Sequence, residues 1–192
     1  MKKTTYVFVL LFTVFVLGTP GFASTVWLDE VILFVQPPGS SNDGGPPTDA
    51  LGPPDARALP GGGATGIVSI DIPETLIVAF TDNRAIDGLG NDIKIDEFYN
   101  RDSEADVYAS MDNSNYVYLG RPNGDIEYDI ADYPDLDFIS YVKFIGLDDG
   151  GGSAGFDLDA VEALNSVPIP GAIWLLGSSL IALVGYRKKL RN

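Results

Sequence analysis

Between residues 24 and 166 the apolar positions recur in short runs of period two, each closed off by glycine, proline, asparagine or aspartate. Val68, Ile70 and Ile72 alternate with Ser69 and Asp71, and Val107, Ala109 and Met111 alternate with Tyr108 and Ser110. A period of two sends successive side chains to opposite faces of an extended chain, so these runs read as half-buried strands. Strands are expected over 26–35, 66–72, 75–81, 93–99, 105–111, 116–119, 126–130, 138–147 and 156–164, and no stretch between the two ends sustains a helical period. Eight or nine short strands predict an all-β fold, an antiparallel two-sheet sandwich of jelly-roll type. Gln36 to Gly63 interrupts the rhythm with clustered proline and glycine. That composition rules out a helix or a central strand and predicts an extended surface loop or a partly disordered segment, either a wall over a binding edge or a passive excursion.

Both ends depart from this pattern. Residues 1–23 open with Lys2 and Lys3, run apolar from Tyr6 to Leu17, break at Gly18 and Pro20, and end Gly21-Phe22-Ala23. These are the three regions of a secretory signal peptide, with cleavage expected after Ala23. Residues 169–186 form an uncharged stretch that as a helix reaches ~27 Å, just enough to cross a hydrocarbon core of ~30 Å. Arg187, Lys188, Lys189 and Arg191 follow as a basic stop, which places the C-terminus inside and the acidic region outside. The sequence therefore divides into a signal peptide (1–23), one ectodomain (24–166) and a tail (167–192).

Composition narrows the chemistry. The chain has no cysteine and no histidine, which excludes disulfides, thiol or Ser-His-Asp catalysis and His- or Cys-ligated zinc. The overall charge is −15. Six of the twelve basic residues lie in the two end segments and all 27 acidic residues lie between them, so residues 24–166 carry −21. Such a surface repels nucleic acid and attracts cations. The remaining basic residues, spread from Arg57 to Lys143, form no cluster able to hold an anionic chain. Carboxylate pairs are too plentiful to argue for a glycosidase, and no enzyme activity is expected.

The richest candidate site is Thr81-Asp-Asn-Arg-Ala-Ile-Asp-Gly-Leu-Gly-Asn-Asp92. Asp82, Asn83, Asp87, Asn91 and Asp92 offer the hard oxygen ligands that calcium requires, with Gly88 and Gly90 allowing the loop to fold back on itself. The spacing is not that of an EF-hand. An Asx-rich turn capping its own backbone is the other reading. Asp157 and Asp159, two apart on one strand, share a face at ~7 Å, which by spacing alone reads as a solvated strand face. Asp148 and Asp149 mark a glycine-rich hairpin tip. Trp27, Tyr99, Tyr108, Tyr116, Tyr118, Tyr128 and Tyr133 are expected as half-buried strand residues rather than sugar platforms.

The tail, with Val167-Pro168-Ile169-Pro170, the helix opening Gly171-Ala172-Ile173-Trp174-Leu175-Leu176-Gly177-Ser178 and the basic end, resembles the PEP-CTERM sorting tail of Gram-negative bacteria. Ile169 stands where that family usually has glutamate. The resemblance implies export through the inner membrane and a membrane-anchored precursor. It further implies recognition of residues 167–170 by an exosortase, and final residence at the cell surface or in the matrix with extracellular polysaccharide. A sortase substrate would carry threonine after the proline, and a GPI signal would end in its apolar stretch, so neither fits. A permanent single-pass anchor remains open. Asp49 to Asp55, Thr75 to Phe80, Asp82 to Asp92 and Gly155 to Val161 together resemble the discoidin-like, galactose-binding ectodomain common among such proteins. That resemblance implies a last strand near a calcium loop, which makes Asp157 and Asp159 second-rank ligand candidates, and with it a calcium-dependent carbohydrate-binding module as an alternative function.

Overall fold

The computed structural model describes residues 26–37, 44–60, 62–98, 104–147 and 155–168. The expected signal peptide (1–23), residues 169–192 of the tail, Tyr99 and the expected tip at 148–153 lie outside the described residues. Within them the chain is all-β with antiparallel sheets, as the alternation predicted. No helix among the described residues is long and apolar enough to cross a membrane.

The first sheet has the order β1 (Val26–Trp27), β14 (Phe156–Ala163), β8 (Ile93–Glu97), β11 (Ile126–Tyr128), and β5 (Val68–Ile70) also pairs with β14. The second has the order β10 (Tyr116–Gly120), β9 (Ala105–Ser110), β13 (Tyr141–Gly146), β6 (Thr75–Ala79), β2 (Glu30–Val35). One core joins them: Val107, Ala109, Val142, Phe144, Leu76 and Val78 of the second sheet cluster with Ile93, Ile95, Phe156, Leu158 and Val161 of the first. Phe144 and Phe156 stack across the interface with ring centroids 5.9 Å apart. Burying one alternate face is what the two-residue period encodes in β13, whereas β5 and β14 of the first sheet are buried on both faces.

Two strands expected as single runs are broken. The run 26–35 divides at Leu28–Asp29, where the chain leaves the first sheet for the second. Leu28 donates its N–H to the Val161 carbonyl at 3.2 Å and Asp29 donates to that of Ala79 at 3.0 Å. Leu28 is buried there, and the exposed Asp29 and Glu30 that follow interrupt the apolar alternation where the chain changes sheet. The run 138–147 divides at Ser140 into β12 (Phe138–Ile139) and β13.

A smaller sheet, β12-β7-β15, was not expected; β7 (Asn83–Ile86) lies inside the candidate calcium loop and β15 (Ser166–Pro168) at the start of the tail. Val167 pairs with Arg84 and Pro168 with Asn83, so the first half of the 167–170 motif is a strand of the fold. The Pro/Gly-rich segment also departs from expectation. It contains a four-residue 3-10 helix at Pro47–Ala50, with proline in the first turn where a missing N–H costs nothing, and β3 (Arg57–Ala58) paired with β4 (Ala64–Thr65). The helix touches β2, β5 and β14 and buries Ala50 in the core, so the segment closes an end of the sandwich rather than trailing over it.

Candidate functional site

The structure brings Asp87 and Asp92 together and adds Asp129. Carboxylate oxygens of these three residues lie within 4.8 Å of one another. The pairing of β11 with β8, Tyr128 opposite Ile93, carries Asp129 to the start of β8. Asp92 is fully buried. Its Oδ1 accepts from Gly88 N–H and from Asn165 Nδ2, both at 2.9 Å, and its Oδ2 accepts from Ile130 N–H at 2.8 Å. Its backbone carbonyl also accepts from Leu164 N–H at 2.8 Å. Asp129 caps a short 3-10 turn, Ile130–Asp132, by accepting from Ala131 N–H at 2.9 Å. Asp87 is exposed.

This donor set sets a limit on what the cluster can hold. A carboxylate oxygen has two lone pairs, and Asp92 Oδ1 spends both on protein donors, whereas Oδ2 retains one. A cation here would be held by Asp87, Asp129 and Asp92 Oδ2, with backbone carbonyls or water completing the six to eight oxygens that calcium takes. The residues fit such an ion in charge and reach.

The other candidate ligands lie elsewhere. Asp82 accepts from Asn83 Nδ2 at the start of β7, and Asn83, the first residue of that strand, lies four positions from Asp87, ~13 Å of extended chain. Asn91 donates through Nδ2 to Glu127 at 2.7 Å. Asp157 and Asp159 are not beside the loop. Leu164 is the residue that meets Asp92, which leaves Asp159 five positions away, ~17 Å along β14. Nor do they form a solvated face, since both are buried. Asp157 accepts from the Ser69 hydroxyl, and Asp159 Oδ1 accepts from Asp55 N–H at 2.9 Å and Ala56 N–H at 3.2 Å. The register of β14 on β8 shifts between Leu158 and Ala160, so Asp159 sits at a bulge that turns it toward the Pro/Gly-rich segment. Burial pushes its carboxyl above the usual range; the two N–H groups oppose this, while the Asp55 and Asp96 carboxylates add to it.

Beside this anchor, Thr48, Asp49, Leu51, Asp55, Arg57, Thr65 and Gly66 line an open cleft of 440 Å³. Gly66 has φ +75, and a Cβ there would come within 2.4 Å of Asp55 Oδ1, so the wall of the cleft requires glycine. Its lining mixes carboxylates, hydroxyls and one guanidinium, which suits a small polar ligand better than an apolar one. Sequence reading named Asp49 and Asp55 only within a resemblance, because the cleft forms from β3, β4 and the 3-10 helix, none of which has a periodic signal.

No family model matches the chain, and no curated protein matches it. Among solved structures, the C-terminal domain of a chitobiase from Bacteroides fragilis is similar over 77% of this chain and 98% of its own, at 14% identity and a TM-score of 0.44. A truncated AlyQ with CBM32 and alginate lyase domains is similar over 73% of this chain and 34% of its own, at 10% identity and a TM-score of 0.41.

Proposed function

We propose that this chain is an exported, non-catalytic component of a Gram-negative cell envelope or extracellular matrix, processed by an exosortase and associated with extracellular polysaccharide. The order of segments carries the reading. A signal-peptide pattern precedes Val26, the described strands and their single core run from Val26 to Pro168, and an apolar stretch with a basic stop follows Val167-Pro168-Ile169-Pro170. The absence of histidine and cysteine supports a role in binding or structure.

Mass spectrometry of the exported protein tests this directly. Its N-terminus is expected at Ser24. The C-terminus is expected at or just beyond Pro168, because a cut before Ser166 would remove β15 from the edge of β7 and expose that edge. Recovery of residues 169–192 in the mature protein would make the tail a permanent anchor and defeat the proposal.

The carboxylate group of Asp87, Asp92 and Asp129 favours a second reading, a calcium ion that stabilises the fold. A ligand bound only by the native state adds about 2.7 kcal/mol at a hundredfold excess over its dissociation constant. The melting temperature is expected to rise with calcium and to fall back with chelator. Asp87→Ala with Asp129→Ala should abolish the response while leaving the buried hydrogen bonds of Asp92 in place. An unchanged calcium shift in that double variant places the ion elsewhere.

A further inference from the structure

The start of the tail is held to the fold by a short strand and one anchoring residue. In β15, Ser166, Val167 and Pro168 lie opposite Ala85, Arg84 and Asn83 of β7. Ser166 and Val167 are half-buried and Pro168 is exposed. Proline has no N–H to give to a ladder, so the pairing ends there. Few buried contacts and an exposed end put such a strand among the segments that open most readily.

Asn165, just before β15, sets how readily it opens. Its carbonyl accepts from Ile86 N–H at 3.0 Å, and its Nδ2 donates to Asp92 Oδ1 at 2.9 Å and to the Asn91 carbonyl at 3.2 Å. The loop before β8 closes tightly on this side chain. A Cβ at Gly88 would lie 2.4 Å from Asn165 Cγ, so the asparagine occupies the space that any larger residue at 88 would need. Asp92 itself is fully buried, which gives the anchor a fixed base.

This hold falls on the sorting motif. Val167 and Pro168 are the first half of 167–170, and the apolar stretch begins at 169. With β15 paired, no residue separates the fold from the stretch read as membrane-spanning. A cleft that takes an extended peptide uses main-chain N–H and C=O groups, and in β15 one edge of these already faces β7. Release of 165–168 frees both edges and supplies four residues, ~13 Å of extended chain, between the fold and residue 169.

We propose that residues 165–168 form a latch on β7 and Asp92, that a processing protease engages 167–170 only when the latch is open, and that after the cut the shortened end closes again over the edge of β7. The protease rests on the sorting reading above; the latch itself does not. Limited proteolysis of the full chain in mild detergent with a broad-specificity protease, the cut sites read by mass spectrometry, tests it. Cutting within 165–168 is expected to follow the population of the open form. Asn165→Ala should speed it about tenfold, the factor for losing the side-chain hydrogen bonds, without raising cuts within 26–163. Gly88→Ala should act in the same direction, because its methyl group displaces the Asn165 side chain. Ala85→Cys with Ser166→Cys closes the latch covalently in a chain that has no other cysteine. Since Ile86 and Asn165 are hydrogen-bonded, Ala85 and Ser166 form the adjacent non-bonded pair, with Cα atoms ~4.5 Å apart, within the range of a disulfide. The oxidised pair should be cut within 165–168 at least about tenfold more slowly than the reduced pair. Equal rates in the native chain, Asn165→Ala and the oxidised pair overturn the latch. So does a rise in Asn165→Ala that extends equally over 26–163, which would make Asn165 a prop of the whole fold. If the cysteine pair fails to fold, Asn165→Ala and Gly88→Ala decide. Equal rates with a cleaved tail in the exported protein sink the latch alone, whereas changed rates with an uncleaved tail sink the sorting reading alone.

Discussion

Asp92→Ala is expected to destabilise the domain by about 4 kcal/mol, because it strips the acceptor from the buried Ile130 N–H and from two part-buried donors at ~1–3 kcal/mol each and empties a buried site. For a domain of this size that corresponds to a fall in melting temperature of roughly 12 °C. The three donors, Gly88 N–H, Ile130 N–H and Asn165 Nδ2, come from the turn before β8, the turn after β11 and the end of β14. One carboxylate therefore ties three strands of the first sheet at one end. Asp92→Asn should lose about half as much, since its amide keeps one acceptor but turns an N–H against a donor. Asp87→Ala, on an exposed residue of the same cluster, should stay within about 0.5 kcal/mol in the absence of calcium. Thermal unfolding of the three variants under chelator checks the ranking. A cost below about 1 kcal/mol for Asp92→Ala would show that this carboxylate is not the joint.

The same residue shows what the sequence could and could not convey. Alternation located the long strands, since β9 and β13 each bury every second residue. It could not reveal the change of sheet at Leu28, because the break at Asp29 and Glu30 reads equally well as an irregularity within one strand. It also missed β7, whose Asn-Arg-Ala-Ile buries only Ala85, and β15, whose pairing depends on β7. In the candidate site, Asp87 and Asp92 were legible because glycines bend a short loop between them. Asp129 was not, since only the register of β11 on β8 brings it there. Asp157 and Asp159 share one strand, but their partners, Ser69 and the amides of Asp55 and Ala56, come from segments whose placement no local pattern announces.

Phe144→Ala is expected to cost 3–5 kcal/mol, the range for emptying a buried aromatic site in a rigid core. Phe144 and Phe156 are both fully buried, and their near-parallel stack, interplanar angle 22°, is a direct contact between β13 of one sheet and β14 of the other. Denaturant unfolding should show a lower midpoint with an unchanged slope, since the change removes packing without altering how much surface unfolding exposes. Phe156→Ala should cost a similar amount. The double variant should lose less than the sum by roughly 0.5–1.5 kcal/mol, the share that belongs to the pair beyond its area. Tyr118→Ala provides the contrast, because its ring lies on the outer face and its removal leaves no cavity between the sheets. Strict additivity of the two phenylalanine variants would mean that the sheets are held by their separate burial and not by this stack.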